Sequence, residues 1–174
     1  MAGNKKTEKR TAKKTGKKTG KKTGGKQAGS RQAQARRYRA LERQVRLEMK
    51  RPEDVVRPGL LLTFPYRHPR QPAEIVIDTE EFSALCPWTG LPDYGHLTIR
   101  YLPGTRCLEL KSLKYYLLGY RSAGIVQEHA AARILEDLVA AVRPREMEVE
   151  LDYRPRGGLH TVVRAGYPPP GGKA

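Results

Sequence analysis

The chain has 174 residues, with 34 lysines and arginines against 18 aspartates and glutamates, which gives a formal charge of +16 at pH 7. This balance excludes an acidic or neutral surface and points to polyanionic partners. The longest apolar runs, such as residues 138–142, fall far short of the ~18–20 residues that a membrane-spanning helix needs. The N-terminal charges have no apolar segment behind them as in a secretory signal, so we expect a cytoplasmic protein without a membrane contact.

The charge is concentrated at the N-terminus. Residues 1–37 hold 14 of the basic residues and one acid, Glu8, so they carry +13 and leave only +3 for residues 38–174. Residues 12–24 repeat Lys-Lys-Thr-Gly and have no apolar side chain after Ala12, so they cannot bury enough surface to offset the loss of chain entropy. We predict a disordered basic tail over residues 1–37, able to contact RNA non-specifically.

A short helix and a linker are predicted over residues 38–59, ahead of a folded domain over residues 60–174. Apolar side chains recur at three- and four-residue spacing between residues 36 and 50, which predicts an amphipathic helix. Pro52 and Pro58 then break it. The remaining chain has the size of one domain with one hydrophobic core.

Alternating apolar residues and turn residues predict several short strands in this domain. The expected strands are residues 60–64 and 74–78, a hairpin of residues 96–102 and 107–110 that turns at Pro103-Gly104, and a pair of residues 146–153 and 159–164 that turns at Arg156-Gly157-Gly158. Between the first strands, Asp78 to Glu81 offers N-cap chemistry, which predicts a brief helical turn into Phe82.

Two helices are expected between the strand pairs, over residues 112–120 and 125–142. They are separated near Gly124, and Pro144 ends the second one. The order ββ-α-α-ββ indicates an α+β domain, with an antiparallel sheet and both helices on one face. The open face and the edges of such a sheet need cover, and oligomerisation is one solution.

Cys86 and Asp93 lie in one loop rich in proline and glycine. A cysteine is a nucleophile only as its thiolate, whereas an isolated cysteine is commonly a small buried apolar residue. Asp93 is a candidate proton donor if burial raises its pKa, or simply the aspartate of a turn over residues 92–95. The other thiol, Cys107, makes no zinc-ligand or disulfide pattern with Cys86, so we expect no metal.

Two further segments have the chemistry of binding sites. Residues 109–116 bridge a strand end and a helix start, so they present backbone N–H groups and lysines to an anion, although Ser112 as a helix cap is an alternative explanation. Glu128 lies in the first turn of the second long helix, where a carboxylate also complements the helix dipole. Both interpretations remain open on these residues alone.

Taken together, these segments resemble a known family. The stretch FSALCPWTGLPDYGHLTIRYLP, followed by ELKSLKYY, the QEH helix start and PRGG, is similar to the unimodular QueF family of NADPH-dependent 7-cyano-7-deazaguanine reductases. The resemblance covers residues 75–163, and residues 109–116 match the family signature at every position. It implies the tunnelling fold, a ββ-α-α-ββ unit whose subunits assemble into closed barrels with active sites between subunits.

The resemblance also implies a reaction, the reduction of 7-cyano-7-deazaguanine to 7-aminomethyl-7-deazaguanine in queuosine tRNA modification. A bare nitrile is a poor hydride acceptor, whereas a cysteine thiolate that adds to its carbon gives a more electrophilic thioimide, which two NADPH reduce to the amine. Cys86 matches the family nucleophile and Asp93 its proton donor. The matching substrate-binding positions are Leu108, Glu109, Leu110, Gln127 and Glu128, and the matching cofactor positions are Leu110, Lys111, Arg156 and Gly157, with a contribution from a neighbouring subunit.

One matched position departs from the family pattern. Gln127 stands where members usually have histidine, and because glutamine exchanges no protons we expect only hydrogen bonding from it. Two other functions stay open: a tunnelling-fold amidinotransferase that acts on nitrile-modified tRNA, and a nucleic-acid-binding protein whose body presents the basic tail. A zinc-dependent cyclohydrolase of similar fold needs a Cys/His cluster that this sequence lacks.

Overall fold

The computed structural model describes residues 24–68, 70, 71 and 73–169, and at residues 24–28 and 45–47 the backbone alone. The chain divides by its internal contacts into two units, Met1–Arg37 and Tyr38–Ala174.

The first helix, α1 (Gly24–Glu48), begins well before the predicted residue 36. Residues 24–37 were expected to belong to the disordered tail, but the structure places them in this helix. Alanine, glutamine and arginine, which are good helix formers, replace the Lys-Lys-Thr-Gly repeat there. The side chains of residues 29–44 are exposed, so none of them contributes to a core. The rest of the predicted tail, residues 1–23, lies outside the described residues.

The segment predicted as a linker packs onto the folded body. It forms a short helix, α2 (Pro52–Val55), and a 3-10 turn at Pro58–Leu60. Val56 between them is buried in the core. At Gly119 an added Cβ atom would lie 2.5 Å from the carbonyl oxygen of Val55, so the close approach of α2 requires glycine there. The body therefore starts before residue 60.

Within the described residues, the strands form two antiparallel sheets. They are β1 (Thr63–Pro65), β2 (Ile75–Leu85), β3 (Pro92–Leu102), β4 (Arg106–Leu108), β5 (Glu146–Arg156) and β6 (Leu159–Tyr167). The larger sheet has the order β2-β3-β5-β6, and the smaller one pairs β1 with β4. The large sheet thus joins the two strand pairs that flank the helices, in agreement with the predicted ββ-α-α-ββ order.

Two local predictions about the strands are wrong. The predicted hairpin of residues 96–102 and 107–110 does not form, because β3 pairs with β2 while Cys107 pairs with Phe64 of β1. The predicted helical turn before Phe82 is also absent from the described chain. The Oγ1 of Thr79 does accept the N–H of Glu81 at 3.1 Å, but within a β-bulge where the β2–β3 register shifts.

The helices α3 (Leu110–Leu118) and α4 (Gln127–Val142) cover one face of the large sheet. A 3-10 turn at Gly119–Ser122 separates them. Both helices were predicted, and α4 ends at Val142 as expected, followed by Arg143 in the left-handed region and by Pro144. The cap of α3 is Glu109 rather than Ser112, because the carboxylate of Glu109 accepts the first backbone N–H groups of the helix.

The core lies between the helices and the sheet. The core residues of α4 are spaced one or two helical turns apart, and they face alternate residues of β3 and β5. The buried set includes Ala130, Ile134, Leu138, Leu97, Ile99, Val149 and Leu151. The opposite face of the sheet is charged, with ion pairs such as Arg100 with Glu148 and Arg164 with Glu150. No described helix is both long and apolar enough to cross a membrane.

Candidate active site

Cys86 lies in a tight turn between β2 and β3. Its N–H donates to the carbonyl oxygen of Leu91 at 2.9 Å, and its own carbonyl oxygen accepts the N–H of Gly90 at 2.7 Å. Gly90 has a φ of 72°, a left-handed conformation that glycine adopts without strain. The Oγ1 of Thr89 accepts the N–H of Leu91 at 3.2 Å. These bonds fix the backbone of the turn at Cys86, a residue that is only 5% exposed.

The surroundings of Cys86 favour its thiolate. Burial opposes ionisation, but hydrogen bonds from the side chain and backbone of Thr89, from Arg156 and from the backbone of Trp88 outweigh it. Together they lower the pKa of Cys86 from 9.0 to about 7. A thiol with this pKa is substantially ionised at neutral pH, which a purely structural cysteine is not.

Asp93, the second residue of β3, is held beside this thiol. Its side chain is 3% exposed, and the Nη1 of Arg156 lies 2.6 Å from its Oδ1 in an ion pair. That oxygen is buried and has no hydrogen-bond partner of good geometry within the described residues. Burial raises the pKa of Asp93, while the positive charge of Arg156 opposes the rise. A carboxyl group in such a place is suited to hold and release a proton.

Both side chains open into one cleft of about 410 Å³. The start of α4 forms one wall, where Gln127 and Glu128 lie, and the Tyr153 hydroxyl donates to the carbonyl oxygen of Gln127 at 3.5 Å. Of the residues predicted for the site, the structure brings together Cys86, Asp93, Gln127, Glu128 and Arg156.

The turn between β5 and β6 places Arg156 at the mouth of this cleft. Gly157 and Gly158 have φ angles of 57° and 83°, a pair of left-handed residues that suits a tight hairpin. An added Cβ atom at either glycine would meet no heavy atom within 4 Å, so the turn is open on its outer side. The predicted turn at residues 156–158 is therefore confirmed.

The second group of predicted site residues does not line the cleft. Leu108 ends β4, and Glu109, Leu110 and Lys111 begin α3. The carboxylate of Glu109 accepts the N–H of Lys111 at 2.9 Å and that of Ser112 at 2.7 Å. These two bonds lower the pKa of Glu109, and further lone pairs of the carboxylate stay available to another donor.

Leu110 instead lines a second, more apolar cleft of about 260 Å³ beside Ile77 and Thr79 of β2. This cleft and the Cys86 cleft share no lining residue. Within one subunit, Leu110 and Cys86 therefore belong to different clefts.

Several residues of the Cys86 cleft were not predicted from the sequence. They are Thr89, Arg154, Leu159 and Thr161, together with Trp88, whose side chain is 67% exposed. Thr89 lies three residues after Cys86 and is followed by glycine, a pattern that predicts a turn in which the threonine hydroxyl bonds the backbone. The β6 residues carry no such local signal, because strand pairing alone brings them to the cleft. Among the described residues, no group of His, Cys, Asp or Glu has a metal-binding arrangement.

The comparison with known proteins identifies the family. Residues 92–170 match the family described as QueF-like protein. The NADPH-dependent 7-cyano-7-deazaguanine reductase of Caldicellulosiruptor bescii is 53% identical over 108 residues, covering 62% of this chain and 82% of that protein. The protein of the same name from Chloroherpeton thalassium is 47% identical over 112 residues, covering 64% of this chain and 97% of that protein. The chain belongs to the QueF family.

A solved structure supports the QueF assignment at the level of the fold. The crystal structure of the archaeosine synthase QueF-Like in the apo form matches with a TM-score of 0.52 and 25% identity, over 55% of this chain and 94% of that chain. The expected α+β tunnelling fold of the QueF family is thus confirmed for the subunit.

Proposed function

We propose that this QueF protein reduces the nitrile of 7-cyano-7-deazaguanine to the aminomethyl group of 7-aminomethyl-7-deazaguanine with NADPH, in the queuosine pathway of tRNA modification. Relatives named for this reductase activity share about half of the aligned residues, and the alignments span most of their length. The observation that carries the proposal is a cysteine with a lowered pKa beside a buried aspartate in one cleft.

The chemistry follows from these two groups. The Cys86 thiolate adds to the nitrile carbon, and Asp93 supplies the proton that the nitrogen takes up, so that a covalent thioimide forms on Cys86. NADPH supplies the two hydrides that convert the thioimide into the amine. Both protein groups line the same cleft, so both can reach one nitrile.

The substrate ring is proposed to bind through hydrogen bonds in its own plane. A deazaguanine ring offers N–H donors along one edge, and a carboxylate accepts two of them at once. Glu128 at the start of α4 presents such a carboxylate in the Cys86 cleft, and Gln127 adds an amide. Glu109 and the backbone of Leu108 and Leu110 form the second proposed group of substrate contacts.

The NADPH contacts are proposed at two places. Arg156 and Gly157 at the cleft mouth offer a cation and an open backbone, which suit a phosphate. Lys111 and Leu110 offer a cation and backbone N–H groups at the start of α3. Because Leu110 and Cys86 line different clefts of the subunit, we propose a homo-oligomer in which the start of α3 comes from a neighbouring subunit.

We further propose the domain limits and the surroundings of the enzyme. The reductase domain comprises residues 60–174 together with the packed segment that contains α2 and Val56.

The protein is expected in the cytoplasm, where the basic leader, residues 1–37, contacts RNA non-specifically. Binding to RNA that weakens steeply with salt, and that is lost when residues 1–37 are deleted, supports the leader contact. Binding that survives the deletion refutes it.

The covalent step is tested by intact mass without cofactor. The protein mixed with 7-cyano-7-deazaguanine should gain the full mass of the nitrile, because addition releases no leaving group. Cys86→Ala should gain nothing, whereas Cys107→Ala should still gain the mass, since burial raises the pKa of Cys107 and keeps that thiol neutral. An adduct that persists in Cys86→Ala contradicts the assignment of the nucleophile.

The second candidate is the amidinotransferase, in which ammonia adds to a nitrile already in tRNA. The basic leader favours it, as does the structural similarity to an archaeosine synthase. The identity is only 25% to that protein but about 50% to the reductases. Amidine formation on nitrile-modified tRNA without NADPH oxidation would decide for this candidate.

A further inference from the structure

Arg156 lies between the two groups that carry the proposed chemistry. Its Nη1 is 2.6 Å from the Oδ1 of Asp93, and Arg156 lines the same cleft as Cys86, where its hydrogen bond to the sulfur favours the thiolate. The Arg156 side chain is 41% exposed, whereas Asp93 is 3% exposed. One cation at the edge of the cleft therefore faces two buried acids.

Addition to the nitrile moves one negative charge between these acids. The step starts from the Cys86 thiolate and from the protonated form of Asp93, which burial favours over the ion pair with Arg156. As the carbon–sulfur bond forms, one π bond of the nitrile breaks, and its electron pair takes the Asp93 proton to form an N–H bond. Asp93 is left as a carboxylate. Nothing is oxidised or reduced, and the charge of the group is the same before and after.

We propose that Arg156 is a positioning residue that serves as the shared counterion of Cys86 and Asp93, so that the charge passes from sulfur to carboxylate beside one guanidinium. Because the guanidinium is already beside both the starting thiolate and the final carboxylate, it does not have to move during the step to stabilise the negative charge. The inference rests on the proposed function and adds to the NADPH contact proposed for Arg156. It concerns thioimide formation, which precedes any hydride transfer.

Other charged and titratable groups lie near this pair in the described part of the chain. They are Glu128 at the start of α4 and, on β5, Arg154 and Tyr153. Burial, the largest cause, raises the pKa of Tyr153 far above neutrality, so its phenol stays uncharged. The guanidinium of Arg154 lies over the Tyr94 ring, 5.9 Å from its centroid. Arg154 shares the charge, strand and cleft of Arg156, so it provides a matched control.

The first experiment measures alkylation of Cys86 by iodoacetamide against pH, without substrate or NADPH, with the modified peptide identified by mass. Arg156→Gln should raise the midpoint of the pH profile by about one unit, because an adjacent opposite charge lowers a pKa by about 1–3 units and this one is partly exposed. Arg156→Lys should restore most of the shift, and Arg154→Gln should leave the midpoint unchanged. An unchanged midpoint in Arg156→Gln, or an equal shift in Arg154→Gln, overturns the proposal.

The second experiment measures thioimide formation from 7-cyano-7-deazaguanine, again without NADPH. Arg156→Gln should slow this step about 100-fold even at a pH where its thiol is ionised, because the charge that arrives on Asp93 is then unpaired. If Arg156→Gln slows thioimide formation no more than it slows alkylation of Cys86, Arg156 is not the counterion of Asp93 and the proposal is overturned. If the unaltered protein forms no thioimide, the proposed function fails, whereas the alkylation midpoints still decide whether Arg156 is the counterion of Cys86.

Discussion

Thr89 offers a direct test of how the turn activates Cys86. Its Oγ1 accepts the N–H of Leu91 at 3.2 Å, which leaves the hydroxyl proton free to donate to the Cys86 sulfur. Thr89→Val keeps the branched shape and removes that donor. A hydrogen bond to a charged group contributes about 1.5–3 kcal/mol, or roughly 1–2 pKa units. Since sulfur is a weak acceptor, we expect the pKa of Cys86 to rise by about one unit.

The assay is the rate of iodoacetamide alkylation at Cys86 between pH 5 and pH 10, without ligands. At pH 6 the thiolate fraction should fall about tenfold in Thr89→Val, but the more basic thiolate is about threefold more nucleophilic, so the rate should fall about three- to fourfold. Above the new pKa the variant should react about threefold faster than the unaltered protein. The two profiles should therefore cross.

Thr89→Ser is the control for this prediction, because serine keeps the hydroxyl and removes only a methyl group. Its midpoint should stay near the value of about 7 that belongs to the unaltered protein. Cys107 should not contribute, since burial raises its pKa. Profiles of Thr89→Val and the unaltered protein with the same midpoint would refute the role of this hydroxyl.

Three further substitutions test the site and the core. Asp93→Asn should lower turnover about 10²–10⁴-fold through loss of the proton donor. Burial raises the pKa of Asp93 above its ordinary 3.8, so ionisation of this carboxyl destabilises the folded state as the pH rises above 3.8. In calorimetry, the Asn variant should therefore melt at a higher temperature than the unaltered protein at pH 7, and it should lose this advantage at pH 3. Tyr116→Phe removes the hydroxyl that donates to Asp137 at 2.7 Å and should cost about 1–3 kcal/mol in urea unfolding, with no change in the Cys86 alkylation midpoint. Leu138→Ala, at a fully buried position of α4, should cost about 2–5 kcal/mol in the same measurement, and a cost near zero would contradict its place in the core.

The order of the helices and of the main strands was predictable because each has a local signal. The apolar spacing of α4 and the alternation of β5 specify those elements without knowledge of their neighbours. Strand pairing was not predictable in the same way. Pro103-Gly104 does turn the chain, but whether β4 then pairs with β3 or with β1 depends on contacts far apart in the sequence. Thr79 shows the same limit, since its side-chain bond to Glu81 serves a bulge as readily as a helix start.

The candidate site also combines features that the sequence shows with contacts that only the structure shows. The loop that contains Cys86 and Asp93 left their roles open, and the resemblance to the QueF family supplied those roles. The ion pair of Asp93 with Arg156 joins β3 to the distant end of β5. The lowered pKa of Cys86 depends on Thr89 and Arg156 together, and no spacing in the sequence shows that combination. The resemblance to the QueF family supplied Arg156 as a cofactor residue. Its contact with Asp93 became visible only in the structure.

NADPH oxidation with purified 7-cyano-7-deazaguanine tests most directly whether this protein is a nitrile reductase. A nitrile reductase should give a fall in NADPH absorbance that depends on the nitrile, two NADPH consumed for each 7-aminomethyl-7-deazaguanine formed, and no turnover in Cys86→Ala. NADPH that stays unoxidised in the presence of the nitrile, with an intact Cys86, would contradict this function.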